Sequence, residues 1–393
     1  MNAFATLKDT RSPIRVVLIG AGLMGKKWIS ALTACPDVEL VGLVDLNLTA
    51  AEAALREAGL EHLVTGRSLT EVAAATAAQA VVNVTVPVAH HPTNVEALFA
   101  GLPVLCEKPV APTVSQGLSL AAAAEVSGQL LMISQSRRYY RHLADLKEQM
   151  ALLGDVGIMT TDFFKAPHFG GFREEMEHVL LVDMAIHAFD VARYLLGREP
   201  VSVYCEEYNP SWSWYAGDAA TTAVFEFTGG ARYTFTGSWC SPGLETSWNG
   251  NWRVSGAHGT ASWDGENAPV VEMPDDRSGP TSARKSTDRQ EAEEIAGSLA
   301  EFVSALRTGV TPSGEVHSNV LSLAMVEAAV LSAEKQERVN IGQVLECAYT
   351  NAVSDENVPA VKEALLAWTS VGNLLETESR NGLLAPLTGS SSV

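Results

Sequence analysis

The sequence predicts an N-terminal α/β Rossmann domain, a doubly wound parallel sheet, followed by an α+β domain with a large, mostly antiparallel open sheet. Three observations carry this. Between Ile14 and Ser134, short β-rich apolar runs alternate with helical stretches, the pattern of parallel strands joined by crossover helices. From Val201 to Trp263 the texture changes to strand after strand separated by glycine-containing turns, the mark of antiparallel pairing. The 393 residues also exceed one ordinary core, so two folded units are expected. The expected divisions are 12–135, 136–345 and a helical C-terminal extension over 346–393.

Composition narrows the function classes. Apolar residues make up 47% and charged residues 19%, a globular balance, and the formal net charge is −19. That field repels nucleic acid and anionic membranes, so neither is expected as a partner. Cys35, Cys106, Cys205, Cys240 and Cys347 are scattered and contain no CxxC pair, which points to a reducing compartment and to no metal site. Met1 to Pro13 lacks the apolar run of a signal peptide, and no uninterrupted apolar run is long enough to span a bilayer. These features are those of a cytoplasmic protein.

The first strand, Ile14 to Ile19, leads into Gly20-Ala21-Gly22-Leu23-Met24-Gly25 and then a helix from Lys27. Strand, GxGxxG and helix together form a dinucleotide-binding fingerprint. Gly20 permits the tight turn, Gly22 lets a pyrophosphate approach the backbone, and Gly25 allows close helix–strand packing. A second strand, Val38 to Val44, ends at Asp45, placed to hold ribose hydroxyls. Leu46 and Asn47 follow, with no adjacent arginine for a 2′-phosphate, so NAD is expected rather than NADP.

Further on come a helix near Leu69 to Ala77 and a strand from Ala80 to Val86. Thr85-Val86-Pro87 and a loop with His90 and His91 follow, then a helix from Thr93 to Ala100 and a strand ending in Glu107-Lys108-Pro109. Ligands of such sheets bind outside the carboxyl ends of the strands. His91 is there either for the cofactor or as a surface helix-start residue, and Lys108 either aims an ammonium at substrate oxygen or is an ordinary surface lysine.

Arg137-Arg138-Tyr139-Tyr140-Arg141 opens the second unit and is dense in donors for hydroxyl or anionic groups. After a loop from Ala166 to His178 that carries Arg173, an apolar helix from Val179 to Leu196 contains Asp183, His187 and Asp190. At i, i+4 and i+7 they share one face. A carboxylate one turn from an imidazole can fix its tautomer, which suits a proton-abstracting base. The competing reading is a core histidine satisfied by its neighbours. Six of the eight tryptophans lie between Trp212 and Trp263, mostly as core or interface residues, with the segment holding Trp239, Trp248 and Trp252 as a sugar-stacking candidate. Val270 to Arg289 reads as a surface loop. Helices near Glu291 to Thr308 and Ser318 to Glu337 are expected to cover the sheet, and Val358 to Glu378 to form a helix docked on another subunit or on the same chain. The last residues, Pro386 to Val393, read as frayed.

The glycine turn, Asp45, the Pro87 to His91 stretch, Glu107-Lys108-Pro109 and Asp183-x3-His187-x2-Asp190 occur in the order and approximate spacing of one family. The chain resembles the glucose-fructose oxidoreductase, inositol dehydrogenase and rhizopine-catabolism (Gfo/Idh/MocA) family over about Arg15 to Val339. The resemblance implies an NAD-dependent oxidoreductase acting on a secondary hydroxyl of a sugar, sugar acid or cyclitol. The implied cofactor set is Gly20, Gly22, Leu23, Met24, Gly25, Asp45, Thr85, Pro87, His91, Glu107 and Lys108. Lys108, Asp183 and His187 are the implied catalytic residues, with the base role open between Lys108 and His187. Arg137, Tyr139, Arg173 and Trp248 join Asp183 and His187 as substrate contacts, and no metal is required. The expected assembly is a dimer or tetramer through the C-terminal sheet. The same family implies an alternative, an NAD-dependent glycoside hydrolase working by transient C3 oxidation, elimination and water addition, on an anionic uronate or sulfonated (sulfoquinovose-type) glycoside. A non-enzymatic NAD-responsive regulatory subunit ranks third, because the lysine and the Asp/His set are intact.

Overall fold

The computed structural model describes residues 4–274, 281–282, 292–368 and 371. The first sheet has six strands: β1 (Ile14–Ile19), β2 (Val38–Val44), β3 (Val64–Gly66), β4 (Ala80–Asn83), β5 (Val104–Glu107) and β6 (Leu131–Ser134). Their spatial order is β3-β2-β1-β4-β5-β6, all parallel. The order reverses beside β1, so the crevice between the ends of β1 and β4 is the binding position of a doubly wound sheet. The strands are buried on both faces, which is why they read as continuous Val, Ile and Leu runs.

Four crossover helices were legible or nearly so: α1 (Leu23–Ala34), α3 (Leu69–Thr76), α4 (Pro87–Phe99) and α5 (Val114–Ser127). A further helix, α2 (Leu48–Glu57), and the short β3 were not anticipated. The helix α4 starts at Pro87, six residues before the expected Thr93. Proline fits the first helical position, where its missing N–H costs nothing. Pro92 lies inside the helix. His90 and His91 are therefore helical, not on a loop.

The second sheet has nine strands: β7 (Val156–Phe164), β8 (Pro200–Tyr208), β9 (Ala220–Phe227), β10 (Arg232–Ser238), β11 (Asn251–Gly256), β12 (Thr260–Trp263), β13 (Val270–Glu272), β14 (Thr281–Ser282) and β15 (Val339–Asn340). Their order is β14-β13-β12-β11-β7-β10-β9-β8-β15, antiparallel except for the β7–β10 pair. The stretch expected as a loop from Val270 thus holds two short strands, and 275–280 and 283–289 lie outside the described residues. Helix α7 (Ile186–Leu196) buries Phe189 against Phe225, Tyr233 and Phe235 at centroid distances of 4.7, 6.4 and 5.5 Å. Burying one such ring contributes about 1.5–3 kcal/mol, so this cluster fixes the helix on the sheet.

The later helices do not simply cover the second sheet. After α6 (Arg141–Met150), α8 (Glu294–Thr308) packs Leu299, Phe302, Val303 and Leu306 into the first unit's core with Trp28 and Leu32. Arg307 Nη1 binds Asp37 Oδ1 at 2.6 Å there. The long α9 (Val316–Lys335) lies buried between β8 and α5. Past Asn340, where a helical extension is expected over 346–393, α10 (Ile341–Asp355) and α11 (Pro359–Ala367) pack on α5 of the same chain. Of the helix expected over Val358 to Glu378, the part after 368 falls outside the described residues except 371, as do Pro386 to Val393.

Candidate active site

The glycine turn sits where β1 meets α1. Gly20 has φ +107°, and a Cβ there would lie 2.8 Å from the Val84 carbonyl oxygen, while one on Gly25 would collide with the Gly20 carbonyl. A Cβ on Gly22 would meet nothing within 4 Å. Gly20 and Gly25 therefore serve the chain's own packing, whereas the space over Gly22 is open, next to the unpaired N–H groups of α1. The turn has the open space and free donors that a pyrophosphate requires. Gly22→Ala is accordingly expected to leave the melting temperature nearly unchanged and to weaken NAD binding roughly tenfold or more. Gly25→Ala is expected to cost about 1–3 kcal/mol of stability through overpacking. Thermal melts and NAD titrations check both.

Asp45 is half-buried at the end of β2, its Oδ2 accepting from Ala21 N and its Oδ1 from Asn47 N, each at 2.7 Å. The bond from Ala21 ties the Asp45 carboxylate to the glycine turn. The structure also brings in Arg67, whose Nε donates to the Leu46 carbonyl at 3.0 Å. Sequence adjacency could not show this arginine, because it arrives from the end of β3. Leu23 and Met24 open α1, Leu23 exposed and Met24 half-buried.

Thr85 is held by Asn83 Oδ1 through both N and Oγ1, at 3.1 and 2.8 Å. His90, not His91, faces these strand ends. Its ring nitrogens lie 2.6 Å from the Pro109 carbonyl and 3.0 Å from the Thr85 carbonyl, stitching the ends of β4 and β5. His91 turns the other way, its Nε2 3.0 Å from Ser119 Oγ, which donates to Glu356 at 2.5 Å. His91, expected either at the cofactor or as a helix-start residue, is engaged on the α5 side of α4. Adjacent helical residues point about a quarter-turn or more apart, so one of the pair had to leave the site. Glu107 accepts from Trp28 Nε1 at 2.8 Å, and burial raises its pKa despite that donor.

Lys108, at the end of β5, reaches the central helix. Its Nζ donates to the Asp183 main-chain carbonyl at 2.6 Å and to Asp183 Oδ1 at 3.3 Å. Asp183 Oδ2 accepts from Arg173 Nε at 2.7 Å. Leu180–Ala185 is a π-helical turn preceding α7, and such turns recur at functional sites. Burial pushes the Asp183 carboxyl up, but Lys108 and Arg173 more than offset it and hold its pKa below the ordinary value.

That turn also breaks the expected single polar face. Asp183 makes no hydrogen bond to His187; it is committed to Lys108 and Arg173, and His187 Nδ1 is buried without a partner. Asp190 points into the core, where its carboxylate accepts from Arg138 Nε and Nη2 at 2.8 and 2.7 Å and from Ser322 Oγ at 2.6 Å. His187 lines a cleft with Arg137, Thr161, Phe163, Trp248 and Asn249. Burial first, then the charges of Lys108 and Arg137, hold its pKa well below the usual histidine value. It is a neutral imidazole at neutral pH.

The remaining expected contacts separate. Arg137 donates to Asn249 Oδ1 in the cleft, whereas Tyr139 turns away and donates its hydroxyl to Glu301, packing in the first unit's core cluster. The Tyr139 hydroxyl, expected at the substrate, is thus engaged by Glu301. Trp248 is 41% exposed, but Trp239 and Trp252 are buried at 1% and 3%, which leaves Trp248 as the open ring of that segment. Asn249, which sequence reasoning missed, carried no signal beyond its place beside Trp248.

The family model described as "Oxidoreductase family, NAD-binding Rossmann fold" matches residues 14–135, and that described as "GFO/IDH/MocA C-terminal domain" matches residues 149–262. The chain belongs to the Gfo/Idh/MocA family. It is an NAD-binding oxidoreductase of that family, and the open cradle over Gly22 with Asp45 beyond it fits the cofactor. Among its Gfo/Idh/MocA relatives is an inositol 2-dehydrogenase from Rhizobium meliloti, 26% identical, covering 84% of this chain and 99% of the relative. A D-glucoside 3-dehydrogenase from Escherichia coli is 31% identical over 48% of this chain and 55% of its own length. An oxidoreductase from Agrobacterium radiobacter, solved with NAD+, L-tartaric acid and magnesium, superposes with a TM-score of 0.76 at 20% identity, covering 84% of this chain and 99% of that one.

Proposed function

We propose that the protein oxidises a secondary hydroxyl of a sugar, sugar acid or cyclitol, with Lys108 and His187 handling the hydroxyl proton. The observation that carries this reading is the convergence of Lys108, Asp183 and a neutral His187 at the strand ends beside the glycine turn. NAD, when bound, supplies the hydride acceptor. Asp183 and its carbonyl aim the Lys108 ammonium, which stabilises negative charge growing on the substrate oxygen. His187 accepts the hydroxyl proton through Nε2, its Nδ1 being buried. Two cations nearby make His187 a weak base, so it takes the proton only as the hydroxyl is acidified by Lys108. Asp183 acts by positioning Lys108 and Arg173, not by orienting the imidazole. The relatives' inositol and glucoside dehydrogenase activities support the substrate class.

A screen of NAD with cyclitols, aldoses, glycosides and sugar acids, read as NADH formation, tests the reading. Reduction with at least one polyol is expected, and a wholly silent panel counts against it.

We assign the outer face of the second sheet to a second copy of the chain. Register places Tyr204, Val224, Thr234, Thr160, Arg253 and Ser262 in one row across five neighbouring strand pairs. Flat, half-exposed rows of this kind suit face-to-face packing. Light scattering is expected to give a dimer or tetramer, and Thr234→Arg to lower the mass; a monomeric wild type contradicts the assignment.

A further inference from the structure

We infer that the substrate carries an anionic substituent, a carboxylate or a sulfonate, and that Arg137 is the side chain that selects it. This rests on the dehydrogenase reading of the same cleft and names the substrate class within it. Among the described residues, the cation that lines the cleft is not matched by a carboxylate. Lys108 and Arg173 share one carboxylate, Asp183. Arg138 is used by Asp190 and the Ser313 carbonyl, and Lys165 by Glu245 at 3.0 Å. Arg137 has no carboxylate partner among the described residues. Its Nη1 donates to two neutral groups, the Asn249 side-chain oxygen and, at 3.4 Å, the Tyr140 hydroxyl. The Tyr140 hydroxyl in turn donates to Glu294 at 2.6 Å.

Arg137 lines the cleft, its charge and that of Lys108 both act on His187, and the carboxylate beside Lys108 is shared with Arg173, in a chain whose net charge is −19. A half-buried guanidinium without a counter-charge costs free energy unless a ligand anion meets it. Its planar fork retains unused donors that match carboxylate or sulfonate oxygens in pairs. Lys108 is committed to the reacting oxygen, so Arg137 is the cation left for a second substrate group. Trp248 on the same wall offers a ring to the apolar face of a sugar. A neutral sugar would meet Arg137 through hydroxyls alone and leave its charge unbalanced.

The test uses the full chain saturated with NAD and three probes: methyl β-D-glucopyranoside, methyl β-D-glucuronide and a methyl 6-deoxy-6-sulfoglucoside. Calorimetry is expected to show at least one anionic probe binding roughly tenfold or more tighter than the neutral one, the margin shrinking with added salt. Arg137→Gln is expected to erase the margin and Arg137→Lys to retain part of it. With any substrate that reduces NAD, Arg137→Gln also moves the acidic limb of kcat/KM to higher pH, because one of the charges depressing His187 is gone; a merely structural role would not do this. Equal or tighter binding of the neutral probe, a margin that survives Arg137→Gln, or no binding of either anion overturns the inference. NADH formation with neutral polyols alone would leave the dehydrogenase reading standing while this one fails.

Discussion

Lys108→Ala and His187→Ala are each expected to lower the rate of hydride transfer by roughly 10²–10⁴-fold while NAD affinity stays close to that of the wild type. The two losses have different causes. Removing Lys108 takes away the positive charge aimed at the substrate oxygen, and it also releases the Asp183 carbonyl and carboxylate that the ammonium holds. Removing His187 takes away the proton acceptor and leaves Lys108 in place. Asp183→Asn is expected to fall between them, because the amide keeps one acceptor for Lys108 but loses the charge that binds Arg173. The cradle at Gly22 lies on a separate element, so cofactor binding survives in all three. Single-turnover kinetics and NAD titration on the same samples check the prediction, and loss of NAD binding in step with rate would remove Lys108 and His187 from the chemistry. The pH profile adds a second reading. His187 is neutral down to well below its ordinary value, so activity in the wild type is expected to persist below pH 6.5 before an acidic limb sets in.

Asp190→Ala is expected to cost about 3–5 kcal/mol of stability, the usual penalty for leaving one member of a buried ion pair behind. Arg138 and Asp190 are 5% and 1% exposed at their side chains, and Ser322 and the Ser313 carbonyl complete the network. It joins the turn after β6, helix α7 and helix α9, the three pieces that carry Arg137, His187 and the roof of the second unit. Without Asp190, the Arg138 guanidinium is stranded next to Arg193, whose charge already opposes it. A domain's whole stability is about 5–15 kcal/mol, so the variant is expected to melt markedly earlier. Replacing both partners at once, as Arg138→Met with Asp190→Leu, is expected to recover much of the loss, because two buried charges are then removed together. Denaturant titration decides the matter; a single variant as stable as the wild type would show that the pair is not the tie described.

What was readable in the sequence was local. The β1 turn into α1, Asp45 at the end of β2 and Lys108 at the end of β5 are each defined by neighbours within a few residues, and the parallel order follows from the alternation. The missing parts depend on longer range or on phase. Arg137 finds Asn249 across 112 positions, and Arg67 reaches Leu46 from a strand too short to show a period. The π-helical turn at Leu180–Ala185 shifts the phase that i, i+4 counting assumes, so Asp183 meets Lys108 in place of His187. In α4 the start at Pro87 decided which of two adjacent histidines faced the strand ends. The return of α8 to the first unit was hidden because its apolar face is the same whichever sheet it covers.

The most direct test of the account is to incubate the NAD-loaded protein with a polyol or sugar in deuterated water and to follow NADH by absorbance and products by NMR in the same sample. The account predicts NADH accumulating one for one with a ketone, and neither in Lys108→Ala or His187→Ala. Release of free sugar carrying solvent deuterium at C2, without net NADH, would contradict it and establish redox-neutral glycoside cleavage at the same residues.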